Sequence, residues 1–157
     1  MGKYAAKTMV SSDRSKAEIE KTLRRYGADQ FISGWKEAQA MIQFRIKNKM
    51  VRFTLPLPNQ EDFRFKIDGR CSEKREVSQD IMMKDWEQAC RQRWRALCLS
   101  IKAKLESVEC EIGSFEKEFL AYIVIPGKNG QTIGEVMVPQ IEDAYANGKA
   151  PRLGWEG

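Results

Sequence analysis

No histidine occurs anywhere in the 157 residues, and that absence excludes more chemistry than any motif supplies. It removes the Ser-His and Cys-His nucleophile systems, most zinc sites and the commonest general base. Cysteine is scarce as well, with four in the chain. Cys90 and Cys98 fall on what reads below as one helix, about 12 Å apart along its axis, and a disulfide needs Cα atoms within about 7 Å. Cys110 lies further along the same helix and Cys71 stands alone in a polar stretch. None shows the two-residue spacing of a zinc knuckle, so all four are expected to be free thiols, with no metal and no cofactor. Long apolar runs are missing too: no segment approaches the roughly 18 residues of a membrane span. Residues 1–12 carry two lysines and no apolar core, unlike a secretory signal. These absences place the expected protein in the cytoplasm, without a membrane partner.

What is present describes an ordinary folded domain. Hydrophobic residues make up 42% and charged residues 31%, enough apolar surface for a core and too much for a disordered chain. The net charge of +5 permits an anionic partner without requiring one. Its distribution is uneven. Basic patches run to about residue 104, and Glu106, Glu109, Glu111, Glu116 and Glu118 then form an acidic run.

Ser15 and Glu18 have capping-box spacing, and Ile19, Leu23 and Tyr26 follow at helical intervals up to Gly27. A short amphipathic helix is expected over 16–26, with Lys21, Arg24 and Arg25 in water. Phe31 to Trp35 reads as a short strand. Residues 40–47 and 50–55 alternate strictly and predict a hairpin, with Asn48-Lys49 as a two-residue turn. That turn places Ile46 opposite Val51, Phe44 opposite Phe53 and Ile42 opposite Leu55. On the other face it pairs Lys47 with Met50, Arg45 with Arg52 and Gln43 with Thr54. Pro56 and Pro58 end the hairpin. Residues 59–78 read as a polar loop, with Phe63, Phe65 and Ile67 alternating as a candidate edge strand.

From Ser78 an apolar stripe runs through Met83, Trp86, Cys90, Trp94, Leu97, Ile101, Leu105, Val108 and Ile112 to Gly113. A continuous helix there would be about 50 Å long, against about 40 Å for a compact domain of this size. It is expected either to break or to project, and a projecting stripe would pair with a second chain in a homodimer. Beyond it the reading is a short helix over 115–122, a strand from Ala121 to Ile125, a turn at 127–130, and a helix capped by Thr132 and Glu135 that continues past Tyr145. Residues 148–157 read as a tail anchored at most by Trp155. The expected architecture is α+β: a single domain over 1–147, an antiparallel β-meander packed against a long amphipathic helix, in the order α-β-β-β-α plus a C-terminal α/β supplement.

Two basic features are candidate binding surfaces. Arg45 opposite Arg52 is a like-charge pair, unfavourable by up to about 1 kcal/mol, and Lys47 and Lys49 add to the same end of the ribbon. Such a violation of local economy suits a site that meets an anion, although solvated surface or acids folding back from 59–78 would also explain it. On the long helix, Lys84, Arg91, Arg95 and Lys102 fall within about 40° of one another beside the apolar stripe, with Arg93 and Lys104 at the border. Glu87 stands four residues before Arg91, the spacing of an ordinary intrahelical pair. Together the two features would track a phosphate backbone without reading sequence. The element order is similar to that of double-stranded-RNA-binding domains, which use a helix and a loop in this way, but the 59–78 insertion and the oversized second helix depart from them.

The same order also scaffolds metal-dependent nucleases, which need hard oxygen ligands on adjacent strands. The hairpin here reads Gln43-Phe-Arg45-Ile-Lys47 with no carboxylate, and Glu20 and Glu37 are the nearest acids. Gly127-Lys-Asn-Gly130 lacks the Lys-Ser/Thr of a phosphate loop. No enzyme is expected. Trp86 and Trp94 belong to the core stripe. Trp35 and Trp155 are less constrained, and Trp155 at a chain end has the chemistry of a docking anchor.

Three segments, Arg25–Phe31, Val51–Pro58 and Trp86–Leu97, resemble those of a family of small phage and prophage proteins. That resemblance implies a bacterial virus protein whose gene neighbours serve replication, recombination or anti-defence. It is compatible with nucleic-acid (DNA or RNA) binding, and equally with an inhibitor of a host protein complex such as a CRISPR effector.

Overall fold

The computed structural model describes residues 3–36, 39–67 and 73–151, with side chains in the first helix from Asp13 onward. Cys71, Glu37 and Trp155 lie outside the described residues. The first helix, α1, spans Lys3–Arg25, well beyond the expected 16–26. Ser15 and Glu18 are interior to it and cap nothing. No glycine or proline interrupts residues 3–25, so nothing upstream of Ser15 stops the helix.

Strands β1 (Gln30–Lys36), β2 (Gln39–Ile46) and β3 (Lys49–Pro56) form an antiparallel sheet in that order. The hairpin exists as expected, but its register is shifted by two residues. Lys47 and Asn48 form the turn, both with positive φ, the signature of a type I′ turn. Ile46 therefore faces Lys49, Phe44 faces Val51 and Ile42 faces Phe53. Arg45 faces Met50 and Arg52 faces Gln43, so the expected Arg45–Arg52 pair does not form.

Proline explains the choice. Hydrogen-bonded and non-hydrogen-bonded pairs alternate from the turn. A turn at Asn48-Lys49 would put Pro56 at a hydrogen-bonded site, where its missing N–H breaks the ladder. The observed turn puts Pro56 opposite Gln39 at a non-bonded site. A shift of two preserves the faces, so Ala40, Ile42, Phe44, Ile46, Val51, Phe53 and Leu55 are all buried as the alternation predicts.

Within 59–78, the short strands β4 (Phe65–Ile67) and β5 (Lys74–Glu76) pair antiparallel. The long helix, α2, runs unbroken over Gln79–Glu109, about 46 Å at 1.5 Å per residue. Its stripe residues Met83, Cys90, Trp94, Leu97, Ile101 and Leu105 are buried within the chain, and α1 lies along its second half. Lys16 sits 4.9 Å over the Trp94 ring, Glu18 bonds Arg95 and Lys102, and Tyr26 bonds Glu106 and Glu109. Those contacts advance together, so the two helices run in the same direction. The chain itself thus covers the stripe that was expected to need a second copy. Trp86 is half-buried and donates to the Pro58 carbonyl at 2.8 Å.

The supplement is stitched to the core. Helix α3 (Phe115–Phe119) inserts Phe115 and Phe119, both buried. Phe119 meets Phe44 and Phe53 edge-on, and Tyr122 stacks on Phe53 at 4.0 Å. Ile123 then bridges to Val51 at the β3 edge, and Val124 donates to the Met50 carbonyl at 2.8 Å. Helix α4 (Ile133–Asn147) starts on a complete capping box between Thr132 and Glu135 and ends at Gly148, whose φ is positive.

A Cβ on Gly134 would lie 2.7 Å from the Ala121 carbonyl oxygen. Gly134→Ala must therefore push α4 off the 120–122 turn. The expected cost is about 1–3 kcal/mol, read as a lowered midpoint in thermal or urea unfolding. A midpoint equal to the parent's would contradict this packing.

Candidate nucleic-acid interface

The cations expected on the hairpin are all in place, and most of them are matched. Arg45 faces away from the buried side of the sheet and forks onto Asp29, with Nε 2.8 Å from Oδ1 and Nη2 2.6 Å from Oδ2. Its hydrogen bonds hold the Asp29 carboxyl below the usual carboxylate range. Arg52, on the same face, reaches Glu135 of α4 at 2.8 Å, and Glu135 also serves the capping box. Lys49 reaches Glu116 of α3 at 3.0 Å and lowers its pKa by hydrogen bonding. Lys47, at the tip, has no ion pair among the described residues. Each of these carboxylates comes from outside the 59–78 segment. The hairpin cations thus tie β2 and β3 to the β1 entry, α3 and α4. Lys49 lies on the helix side of the sheet with Val51 and Phe53. On the other face Arg45 and Arg52 are both matched, which leaves little net charge there.

The helix feature has a different balance. Arg95 and Lys102 both bond Glu18 of α1, Arg95 at 3.0 Å. Glu18 is accordingly held below the ordinary carboxylate range, first by the Lys102 hydrogen bond. Arg91 lies 3.9 Å from Glu87, and Lys84 has no ion pair among the described residues. Arg14, Lys21 and Arg25 share one α1 stripe with Glu18, at spacings of four, seven and eleven residues, and all three are exposed. Arg95 and Lys102 thus meet Glu18 at the seam between α1 and α2, with Arg91 on the same edge of α2, and Arg14, Lys21 and Arg25 lie exposed on the solvent side of α1 beside it. At its far end the charge turns negative, where Tyr26 bonds Glu109.

Sequence reasoning places Lys21 and Arg25 in water without grouping them; the signal is their spacing of seven and eleven residues from Arg14, which a helix start at residue 16 leaves outside. The two basic features do not form one surface. The helices cover the sheet face that carries Phe44 and Phe53, and Arg45 and Arg52 occupy the opposite face.

Other chemistry finds no focus. Cys90 and Cys98 are buried, and burial pushes the Cys90 thiol up to about 11, which leaves it inert at neutral pH. A cleft at the end of α1 is lined by Glu20, Arg24, Ala28 and Asp29. Its two carboxylates are held by Arg24 and Arg45. Among the described residues no cluster of acidic or thiol side chains has the arrangement of a metal site, and no helix is long and apolar enough to cross a membrane.

The ion pairs predict a pH profile. Asp29, Glu18 and Glu116 have folded pKa values below their ordinary ones, so their stabilisation is complete above the unfolded carboxylate range and is lost as pH falls through it. Cys90 is shifted the other way: above about 9 the unfolded thiol ionises and the buried one does not. With no histidine to titrate between, stability is expected to be flat from about pH 5 to pH 9 and to fall on both sides. Urea midpoints across that range check it, and a step near pH 6–7 would contradict it.

No known protein family, curated protein or solved structure matches the chain.

Proposed function

We propose that the protein is a non-enzymatic binding protein that holds nucleic acid by its phosphate backbone along the seam between α1 and α2. The observation that carries the reading is the charge balance beside that seam: Arg95 and Lys102 share one carboxylate, Glu18, Arg91 pairs with Glu87, and Arg14, Lys21 and Arg25 lie exposed along the adjoining α1 stripe. Arg95 and Lys102 are positioned by Glu18 and keep unused donors for an anion. Arg14, Lys21 and Arg25 add charge along the same line. In this reading the seam cations contact phosphates, which carry no sequence information. The acids at its end, Glu106 and Glu109, limit how far a strand extends. The hairpin cations Arg45, Lys49 and Arg52 hold the fold together in this reading and are secondary to binding, with Lys47 free to add one contact at the turn.

Fluorescence anisotropy against single- and double-stranded DNA and RNA at about 50 mM salt tests this. Binding to at least one supports it, and no binding to any of the four ends it.

A second reading has an observation of its own. Val138, Ile141 and Tyr145 of α4 lie on one helical stripe and are all exposed, Tyr145 at 88%. An apolar stripe of that kind suits a protein partner, in keeping with the resemblance to phage proteins and with inhibition of a host complex. Retrieval of one stoichiometric host protein, lost in Tyr145→Ala, would favour it over the nucleic-acid reading.

A further inference from the structure

The outer edge of β1 is an open, self-complementary pairing strand, and we propose that two copies of this chain join there into one continuous six-stranded antiparallel sheet. Strand β1 is terminal in the sheet, and which of its groups point outward follows from the register. The turn closes on the hydrogen-bonded pair Ile46–Lys49, so Arg45–Met50 is a non-bonded pair. Met50 accordingly offers its carbonyl to Val124 on the far side, and Arg45 offers its own to Asp29 on the β1 side. Gln30, Ile32 and Gly34, opposite Arg45, Gln43 and Met41, therefore spend their backbone groups on β2. Phe31, Ser33 and Trp35 turn theirs outward, and among the described residues none of these groups has a backbone partner.

Edge strands are usually protected by charge, proline or a covering element. Strand β1 reads Gln-Phe-Ile-Ser-Gly-Trp-Lys, without proline and with its one charge, Lys36, at the end, where the two-fold pairing below sets it opposite Gln30 of the second copy and not opposite another charge. An antiparallel two-fold centred on Ser33 joins all the outward groups: Ser33 with Ser33 of the second copy, and Phe31 with its Trp35, in both directions. The side chains match as well. Trp35, 49% exposed, comes to lie across from half-buried Phe31, and Ile32, 54% exposed, across from Gly34, which has no side chain to obstruct it. A shift by two residues either way leaves outward groups unpaired. Because the axis is perpendicular to the sheet, both helical layers lie on the same side of it. This interface uses neither the α2 stripe nor the proposed nucleic-acid seam, so it stands or falls apart from that reading.

Cross-linking tests the register directly. In the two-fold pair the Ser33 Cα atoms are about 5.5 Å apart, within disulfide range, whereas Ile32 faces Gly34. With Cys71 and Cys110 changed to serine and glutathione disulfide as oxidant, Ser33→Cys should form a dimer on a non-reducing gel and Ile32→Cys should not. Equal cross-linking of both variants, or of neither, overturns the proposal. Sedimentation velocity on the unmodified chain provides the second measurement. A concentration-dependent dimer is expected, weakened on the order of tenfold or more by Ser33→Pro, which removes one outward donor from each copy. Trp35→Lys serves the same purpose if the proline variant fails to fold. A monomer up to about 200 μM, where a dimer of even 0.1 mM Kd would be populated, contradicts it.

Discussion

Replacing Arg14, Lys21 and Arg25 together by glutamine is expected to weaken nucleic-acid binding on the order of 10²-fold near physiological salt, with the fold unchanged. Counterion release sets the size of this effect. Each phosphate contact on duplex DNA contributes a salt slope of about 0.9, which near 0.15 M is worth roughly a factor of five, and three such contacts multiply. None of the three side chains is buried, and among the described residues none forms an inter-element ion pair, Glu18 being held by Arg95 and Lys102. The triple variant should therefore keep its unfolding midpoint. Substituting Arg95 or Lys102 instead would mix lost binding with a lost helix–helix contact, so the α1 stripe is the cleaner probe. The hairpin supplies the control. Arg45→Gln with Arg52→Gln is expected to change affinity by no more than about threefold, because both guanidinium groups are already matched by Asp29 and Glu135. If the hairpin pair lowers affinity more than the α1 triple does, the seam is the wrong surface. Anisotropy titrations of both variants at one salt concentration decide it.

Phe119→Ala is expected to cost about 3–5 kcal/mol, near the upper end for a buried aromatic. Phe119 is fully buried and touches Phe44 and Phe53 of the sheet as well as Phe115 of its own helix. Its removal leaves a cavity whose rigid walls cannot all close. The consequence for the architecture is that α3 is no appendage: the chain after α2 completes the core laid down by β2 and β3. Urea unfolding of the variant should stay a single transition at a lower midpoint. A loss below about 1 kcal/mol, or a separate early transition for the C-terminal third, would mean that the supplement only rests on the sheet.

Most of the fold was legible in residue spacing, and the particular elements show where legibility ends. The period-two alternation of 40–55 assigns every hairpin side chain to its correct face, because a face depends only on parity. The register was misread because Asn48 suits either position of a type I′ turn. The deciding fact, Pro56 falling on a bonded or a non-bonded site, appears only when the ladder is counted outward from each turn. The α2 stripe was readable from Met83 to Leu105, since a buried face imposes its period over many turns. The start of α1 was not: Ser15 and Glu18 imitate a cap locally, and what overrides them is the absence of a helix breaker before residue 15.

The binding features divide in the same way. Arg91, Arg95 and Lys102 share an edge of one helix, and that is a matter of spacing within a single element. Glu18 sits between them, and Asp29, Glu116 and Glu135 sit on the hairpin cations, only because separate elements meet. Spacing carries no information about such partners. A count of cations per face from sequence therefore overstates free charge wherever a neighbouring element supplies a carboxylate. The hairpin shows this most plainly, with three cations matched by three different elements.

The salt dependence of nucleic-acid binding decides whether the α1–α2 seam meets a phosphate backbone. Anisotropy titrations at about 50, 100 and 200 mM salt should give log Kd rising linearly with log salt, with a slope of about 4 or more for the six seam cations, allowing for incomplete engagement. No binding to any of the four nucleic acids at 50 mM, or binding indifferent to salt across that range, would contradict the phosphate-backbone reading.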